Sequence, residues 1–182
     1  MLLLLVLRSP AALWRGKKCF GAHPPWTRSS SNLPKSLVLL MLSKTLSFGI
    51  AGLDGYLVTV EADCGPGLPL FTVVGLPDNS VRESRERVRS AIKNSGFDFP
   101  SGRITVNLAP ADTKKDGPNF DVAIALSILA SSGQVPHQPL NRFAFLGELS
   151  LDGNIHAVHG ALAASLSAAG QNIDGLVVPA AN

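Results

Sequence analysis

The stretch Pro110-Ala111-Asp112-Thr113-Lys114-Lys115-Asp116-Gly117-Pro118-Asn119-Phe120-Asp121 concentrates the chemically capable groups of this 182-residue chain. Three carboxylates, Asp112, Asp116 and Asp121, are interleaved with Lys114 and Lys115. Carboxylates at this density could hold a cation, and the lysines an anion. Turn formation and helix N-capping account for Asp116 to Asp121 without any chemistry. His156-x-x-His159 has a spacing that binds metal on a helix, but here it spans a strand end and a turn, with no Cys or carboxylate close by. Cys19 and Cys64 form no CxxC pair and no disulfide framework; Cys64 ends an alternating apolar run and reads as a small buried residue.

The elements around the loop must position it. Arg103 to Ala109 alternates as a strand should, and Val122 to Ala130 is an apolar run of helical length, so the loop lies at a strand-to-helix crossing, where α/β folds commonly place function. Upstream, Thr45 to Ile50 and Tyr56 to Asp63 read as two strands joined by a turn at Gly52, Asp54 and Gly55. Leu70 to Val74 reads as a third strand, close enough to be a hairpin partner of the second. Ser80 and Glu83 have capping-box spacing at the start of a helix that Asn94-Ser95-Gly96 stops. Its apolar side is Val81, Val88, Ala91 and Ile92; Arg82, Glu83, Arg85, Glu86, Arg87, Arg89 and Lys93 cover the rest. That surface is either a solvated face with local ion pairs or a docking face for an acidic partner or a phosphate backbone. No aromatic residue interleaves the charges, so base stacking is not indicated. Downstream, Phe143 to Leu149 reads as one buried strand, Ser150 to Asn154 as a hairpin turn, Ile155 to Val158 as the return strand, Gly160 to Ala169 as an Ala-rich helix and Leu176 to Val178 as a last strand.

Composition fits one α/β domain with an extension: 46% apolar residues, 17 Gly and 13 Pro. The net charge of +3 is concentrated upstream, since seven basic residues precede the first acid, Asp54, and the remaining body is slightly acidic. A domain-wide nucleic-acid footprint is therefore absent. Residues 1–40 read as a leader or transit-like extension and 41–182 as the domain. Leu2 to Leu7 is far short of the roughly 20 residues a membrane helix needs. The basic, Ser-containing, acid-free leader fits an organelle transit peptide, a start at Met41 in place of Met1, or, least well, a secretory signal. A cytoplasmic location is expected, with an organelle as the alternative.

Several segments taken together resemble the N-terminal domain of magnesium-chelatase-like AAA+ proteins of the YifB/ComM type. They are Gly75-Leu76-Pro77-Asp78, Glu83 to Arg89, Ile92-Lys93-Asn94-Ser95-Gly96, Ile104 to Asp112, and Gly147-Glu148-Leu149. The resemblance runs in one register from about Met41 to Asn182. It implies the ribosomal protein S5 domain 2-like fold, an α/β (α+β sandwich) architecture shared with the proteolytic domain of Lon. It also implies an ATPase module beyond this domain, carrying ATP and magnesium, with a homo-oligomer formed through that module and DNA as a further partner. No Gly-x-x-x-x-Gly-Lys-Ser/Thr occurs in this chain, so no cofactor is expected to bind here and no ATP hydrolysis is expected of it alone.

The Lon likeness also implies where a peptidase dyad would sit. Its serine follows Lys-Asp-Gly-Pro; here Lys115-Asp116-Gly117-Pro118 is followed by Asn119. The register from Gly147-Glu148 places the lysine base at Leu162. An amide cannot be deprotonated to attack a carbonyl, and an alkyl chain cannot take a proton. The expectation is a pseudo-protease: no catalytic, cofactor or metal residues, and a contact surface built from Arg82, Arg85, Arg89, Lys114 and Lys115. A standalone nucleic-acid-binding module is the alternative, and a Ser/Lys peptidase the remote one.

Overall fold

The computed structural model describes residues 42–138 and 140–182. Among the described residues, eight strands and three α-helices follow one another as β1 (Ser43–Ala51), β2 (Asp54–Gly65), β3 (Leu70–Val74), α1 (Asn79–Asn94), β4 (Arg103–Ala109), α2 (Asp121–Ser131), β5 (Phe143–Phe145), β6 (Glu148–Leu149), β7 (Ile155–His156), α3 (Ala161–Ala168) and β8 (Gly175–Val177). Six strands form a mixed sheet in the order β3-β4-β2-β1-β5-β8, while β6 and β7 form a separate antiparallel pair.

β1 shows how one strand divides the molecule into layers. Side chains alternate across a sheet. Ser43, Thr45 and Ser47 face α2 and β5, where their hydroxyls bond the carbonyls of Ser127, Ala123 and Phe145. Leu46, Phe48 and Ile50 face the other way, into the smaller core with Ala144, Leu146, Val158 and Ala164 of α3. The larger core lies between the sheet and α1 with α2. Every residue of α2 is buried, as an apolar-all-round helix should be.

Three expectations are corrected. First, β3 is not the hairpin partner of β2. β4 lies between them, antiparallel to β2 and parallel to β3. β3-α1-β4 is a βαβ unit, and its helix crossover is what lets consecutive strands run parallel. β4 takes the inner place because Ile104, Val106 and Leu108 bury completely or nearly so, whereas Leu70 and Val74 of β3 remain exposed at the sheet edge. Second, Phe143 to Leu149 is two strands. The chain leaves the main sheet at Leu146–Gly147, where the Gly147 N–H donates to Asn119 O and its carbonyl accepts from Val122 N. A Cβ on Gly147 would lie 2.7 Å from methyls of both Ile155 and Val122.

Third, α1 is capped by Asp78 rather than Ser80. Asp78 Oδ1 accepts from Val81 N at 2.7 Å, and Ser80 is already helical. Asp78→Ala should therefore cost about 1–2 kcal/mol in urea unfolding. Ser80→Ala should stay within about 0.5 kcal/mol, as surface changes do.

Candidate functional site

The loop between β4 and α2 is tied down from two sides, by the Leu76–Asp78 segment and by β2. Lys115 N donates to Leu76 O at 3.1 Å and Lys115 O accepts from Asp78 N at 3.0 Å, so the loop forms a short parallel bridge with Pro77. Gly117 N donates to the second carboxylate oxygen of Asp78 at 3.3 Å. From β2, the Tyr56 hydroxyl donates to Lys114 O at 3.0 Å. The Tyr56 ring lies across Gly49, its cross-strand partner, where a Cβ would come within 2.2 Å of the ring. The loop is thus held mainly by backbone groups and one carboxylate.

Lys115 corrects a further expectation. It is 0% exposed and cannot belong to a contact surface. Its ammonium donates to the carbonyls of Pro110 and, at 2.6 Å, Thr113. Burial pushes its pKa below the ordinary lysine value, with Asp112 pulling it partly back up. Between the depressed folded pKa and the unfolded value near 10.5, the unfolded chain holds a proton that the folded chain has shed, so stability rises with pH across that window. Lys115→Met should cost about 1–3 kcal/mol at pH 7 by leaving two carbonyls unpaired. The gap between wild type and variant should widen as urea titrations move from pH 7 towards 10.5, because methionine does not titrate.

The three loop carboxylates do not converge. Asp112 and Asp116 are exposed, and Asp116 pairs with the exposed Lys114 at 2.9 Å, a surface pair of little energetic weight. Asp121 turns inward and is 0% exposed, with the Arg87 guanidinium at 2.6 and 3.2 Å. Ser84 Oγ also donates to it, as does Leu149 N at 3.2 Å. Burial pushes the Asp121 carboxyl up, and Arg87 and Ser84 pull it back down; Asp121 in turn raises Arg87 further. This knot joins α1, α2 and β6. Among the described residues, no three His, Cys, Asp or Glu side chains are grouped so as to hold a metal ion. His156 and His159 are exposed on β7 and the loop after it, and Cys64 is half-buried rather than buried.

Arg87 is a further correction: it does not belong to the solvated face of α1 with which the sequence groups it. Two signals mark it. It stands one helical turn from Ser84, on the border of the buried stripe. Asp121, an acid opening a wholly apolar helix, needs a buried partner.

The basic stripe is partly consumed by the fold. Arg85 donates to Arg82 O at 3.0 Å and to Phe71 O at 3.3 Å, and Arg89 lies 5.1 Å from the ring centroid of Phe99. Arg82 and Lys93 are exposed. The structure brings Asn119 and the approach to α3 together: Asn119 Nδ2 lies 3.5 Å from His159 O, and Asn119 is only 8% exposed. Leu162, three residues further on, is 75% exposed.

A mixed sheet carrying this loop register defines an α/β domain of the Lon-like, ribosomal S5 domain 2-like kind. A family model described as subunit ChlI of Mg-chelatase matches residues 60–182. The competence protein ComM of Haemophilus influenzae is 49% identical over 117 residues, 64% of this chain and 23% of that protein. YifB of Escherichia coli is 44% identical over the same coverage. A Lon protease of Koribacter versatilis is 27% identical over 135 residues, 70% of this chain and 16% of that protein. The chain belongs to the magnesium-chelatase-like family that includes ComM and YifB, and it spans about a quarter of the length of those two relatives.

Proposed function

We propose that this chain is a non-catalytic Lon-like module of a magnesium-chelatase-like ATPase, serving assembly or the engagement of substrate or DNA. The observation that carries this reading is Asn119 in the place of a serine nucleophile, with its amide directed at a backbone carbonyl and an exposed leucine in the place of the base. A peptidase needs a hydroxyl whose proton a desolvated amine can accept. The buried amine of this loop, Lys115, is engaged by two carbonyls. In this reading ATP and magnesium chemistry lie outside this chain, in an ATPase module, and the name of the competence protein ComM gives competence as a setting.

Casein digestion tests the reading. Neither the wild type nor Asn119→Ser should cleave above a no-protein blank, because serine alone lacks its base. Turnover by the wild type would overturn the pseudo-protease.

A second reading, DNA contact through α1, rests on Arg82 and Lys93 standing exposed on one helix. It requires duplex binding that weakens with salt, with a slope reduced by about one for each phosphate contact removed by Arg82→Ala or Lys93→Ala. An unchanged slope in both variants would remove α1 from consideration.

A further inference from the structure

Leu70-Phe71-Thr72-Val73-Val74 carries no charge, and its strand, β3, ends the six-stranded sheet. One edge of β3 pairs with β4, and among the described residues no strand pairs with the other. The backbone N–H and C=O groups of alternate residues turn to opposite edges of a strand. The Phe71 carbonyl lies on the open edge, where the Arg85 guanidinium takes it at 3.3 Å, so the Val73 groups face the same way. Phe71 and Val73 pack their side chains into the larger core, which leaves Leu70 and Val74 on the opposite face, 56% and 41% exposed.

α1 runs beside this open edge and is charged where the strand is not. Arg82, Arg85 and Arg89, spaced by three and four residues, share one flank of the helix. Two of them tie that flank to β3: Arg85 through Phe71 O, and Arg89 through the ring of Phe99, whose centroid is 5.8 Å from that of Phe71. A carbonyl and a ring neutralise neither charge. Among the described residues, the ion pairs employ Lys44, Arg87, Lys114 and Arg142 and leave all three arginines without a carboxylate. Glu83 belongs to the opposite flank, where its charge raises Arg87. Glu86 stands between the flanks, about 100° round the helix from Arg85.

We infer that the β3 edge and the arginine flank of α1 bind an extended acidic peptide, added to the sheet as a further strand, with carboxylates at every second residue. Geometry sets the pattern. A strand laid beyond β3 turns alternate side chains to the α1 side and the rest to the side of Leu70 and Val74. Side chains two residues apart on a strand repeat at about 6.7 Å, close to the rise of about 6 Å between Arg85 and Arg89. Carboxylates at every second position therefore meet the arginines, and apolar residues between them extend the Leu70–Val74 face. The Arg85 guanidinium passes from Phe71 O to a carboxylate, which frees that carbonyl for an N–H of the incoming strand. A second copy of this chain is a poor occupant, because its β3 brings its own arginines. A DNA duplex would satisfy the arginines but leave the β3 backbone groups, Leu70 and Val74 uncovered. The inference gives the substrate engagement proposed above its surface, and it rests on that reading in one respect: the peptide is held and not cut.

Fluorescence anisotropy of a labelled peptide of alternating glutamate and valine, titrated with the 182-residue chain, tests this. Binding is expected below about 1 mM and should weaken with added salt. A peptide of the same composition with its glutamates in one block should bind at least about tenfold more weakly. Arg82→Glu, at an exposed residue, should weaken binding about fivefold, and Arg82→Glu with Arg89→Glu about thirtyfold. Arg82→Lys with Arg89→Lys should keep it within about threefold. The single Arg82→Glu variant decides the matter if the double one unfolds. Methylating the peptide's backbone nitrogens removes strand hydrogen bonds, so methylation of one alternate set, glutamate or valine, should abolish binding and methylation of the other should not. No binding at about 1 mM, equal binding of the block peptide, indifference to the charge reversals, or binding that survives methylation of both sets would each overturn the inference. A short DNA duplex that binds through Arg82 and Arg89 where the peptide does not would overturn it too, and would assign the flank to nucleic acid. Mass spectrometry of the peptide after the titration separates the two readings. Cleaved peptide removes the non-catalytic reading and leaves the docking edge. Intact, unbound peptide removes the edge and leaves that reading.

Discussion

Arg87→Ala should lower the unfolding free energy by about 3–5 kcal/mol, a large part of the 5–15 kcal/mol typical of a domain. The substitution strands Asp121, which is 0% exposed. The Ser84 hydroxyl and the Leu149 N–H would remain, but they are neutral donors facing a buried charge. Asp121→Asn should cost less, since the Arg87 side chain is 19% exposed and can turn its guanidinium outward. Urea titration of the two variants beside wild type measures both losses. The variants also differ in pH response. Without Arg87, burial holds the Asp121 carboxyl above its unfolded pKa, so its favourable contribution is present below the unfolded value and lost as pH rises through the folded one. The deficit of Arg87→Ala should therefore be smallest in acid and grow towards neutrality. A loss below about 1 kcal/mol at pH 7 would mean that the pair is solvated and weak.

Gly75→Ala is expected to be nearly as damaging. Gly75 has φ +97°, and an added Cβ would sit 2.1 Å from the Leu108 carbonyl oxygen of β4. Leu76, next in the chain, also has positive φ, at 57°. These two residues fold the end of β3 over β4 so that Leu76 O meets Lys115 N. The left-handed conformation costs an alanine about 1–2 kcal/mol, and moving a packed backbone adds to it, so a total near 3 kcal/mol and a fall in Tm of about 10 °C are expected. Gly133→Ala isolates the clash. It too has positive φ, at +72°, but nothing lies within 4 Å of its added Cβ, so it should lose only about 1–2 kcal/mol. Equal melting of the two variants would show that β4 yields to the intruding methyl.

The parts of this architecture that rest on neighbours in sequence were legible beforehand. The β1–β2 hairpin announces itself by alternation around a Gly-rich turn, and α2 by an unbroken apolar run. The parts set by distant backbone were not. Nothing local distinguishes β3 as a hairpin strand from β3 as the first arm of a crossover, since the link from β2 is a short turn in either case. Ser80 and Asp78 are equally good caps by type, and Asp78 prevails while also reaching Gly117, 39 residues away. Lys115 reads as a surface charge in a polar loop, because the Pro110 and Thr113 carbonyls that receive it carry no sequence signature. At the candidate site, Asn119 and Leu162 could be placed by resemblance alone. That the amide of Asn119 approaches His159 O depends on how β7 and α3 return to α2.

The bond from Arg85 to the Phe71 carbonyl bears on solubility. β3 is the outermost strand on its side of the sheet, and Leu70-Phe71-Thr72-Val73-Val74 contains no charge of its own. An uncharged, β-branched edge is a template on which further copies of the chain can stack. The guanidinium lent by α1 acts as a gatekeeper for that edge. Neutralising Arg85 would release a strand prone to self-association, so precipitation of such a variant would report on a lost guard and not on a lost ligand.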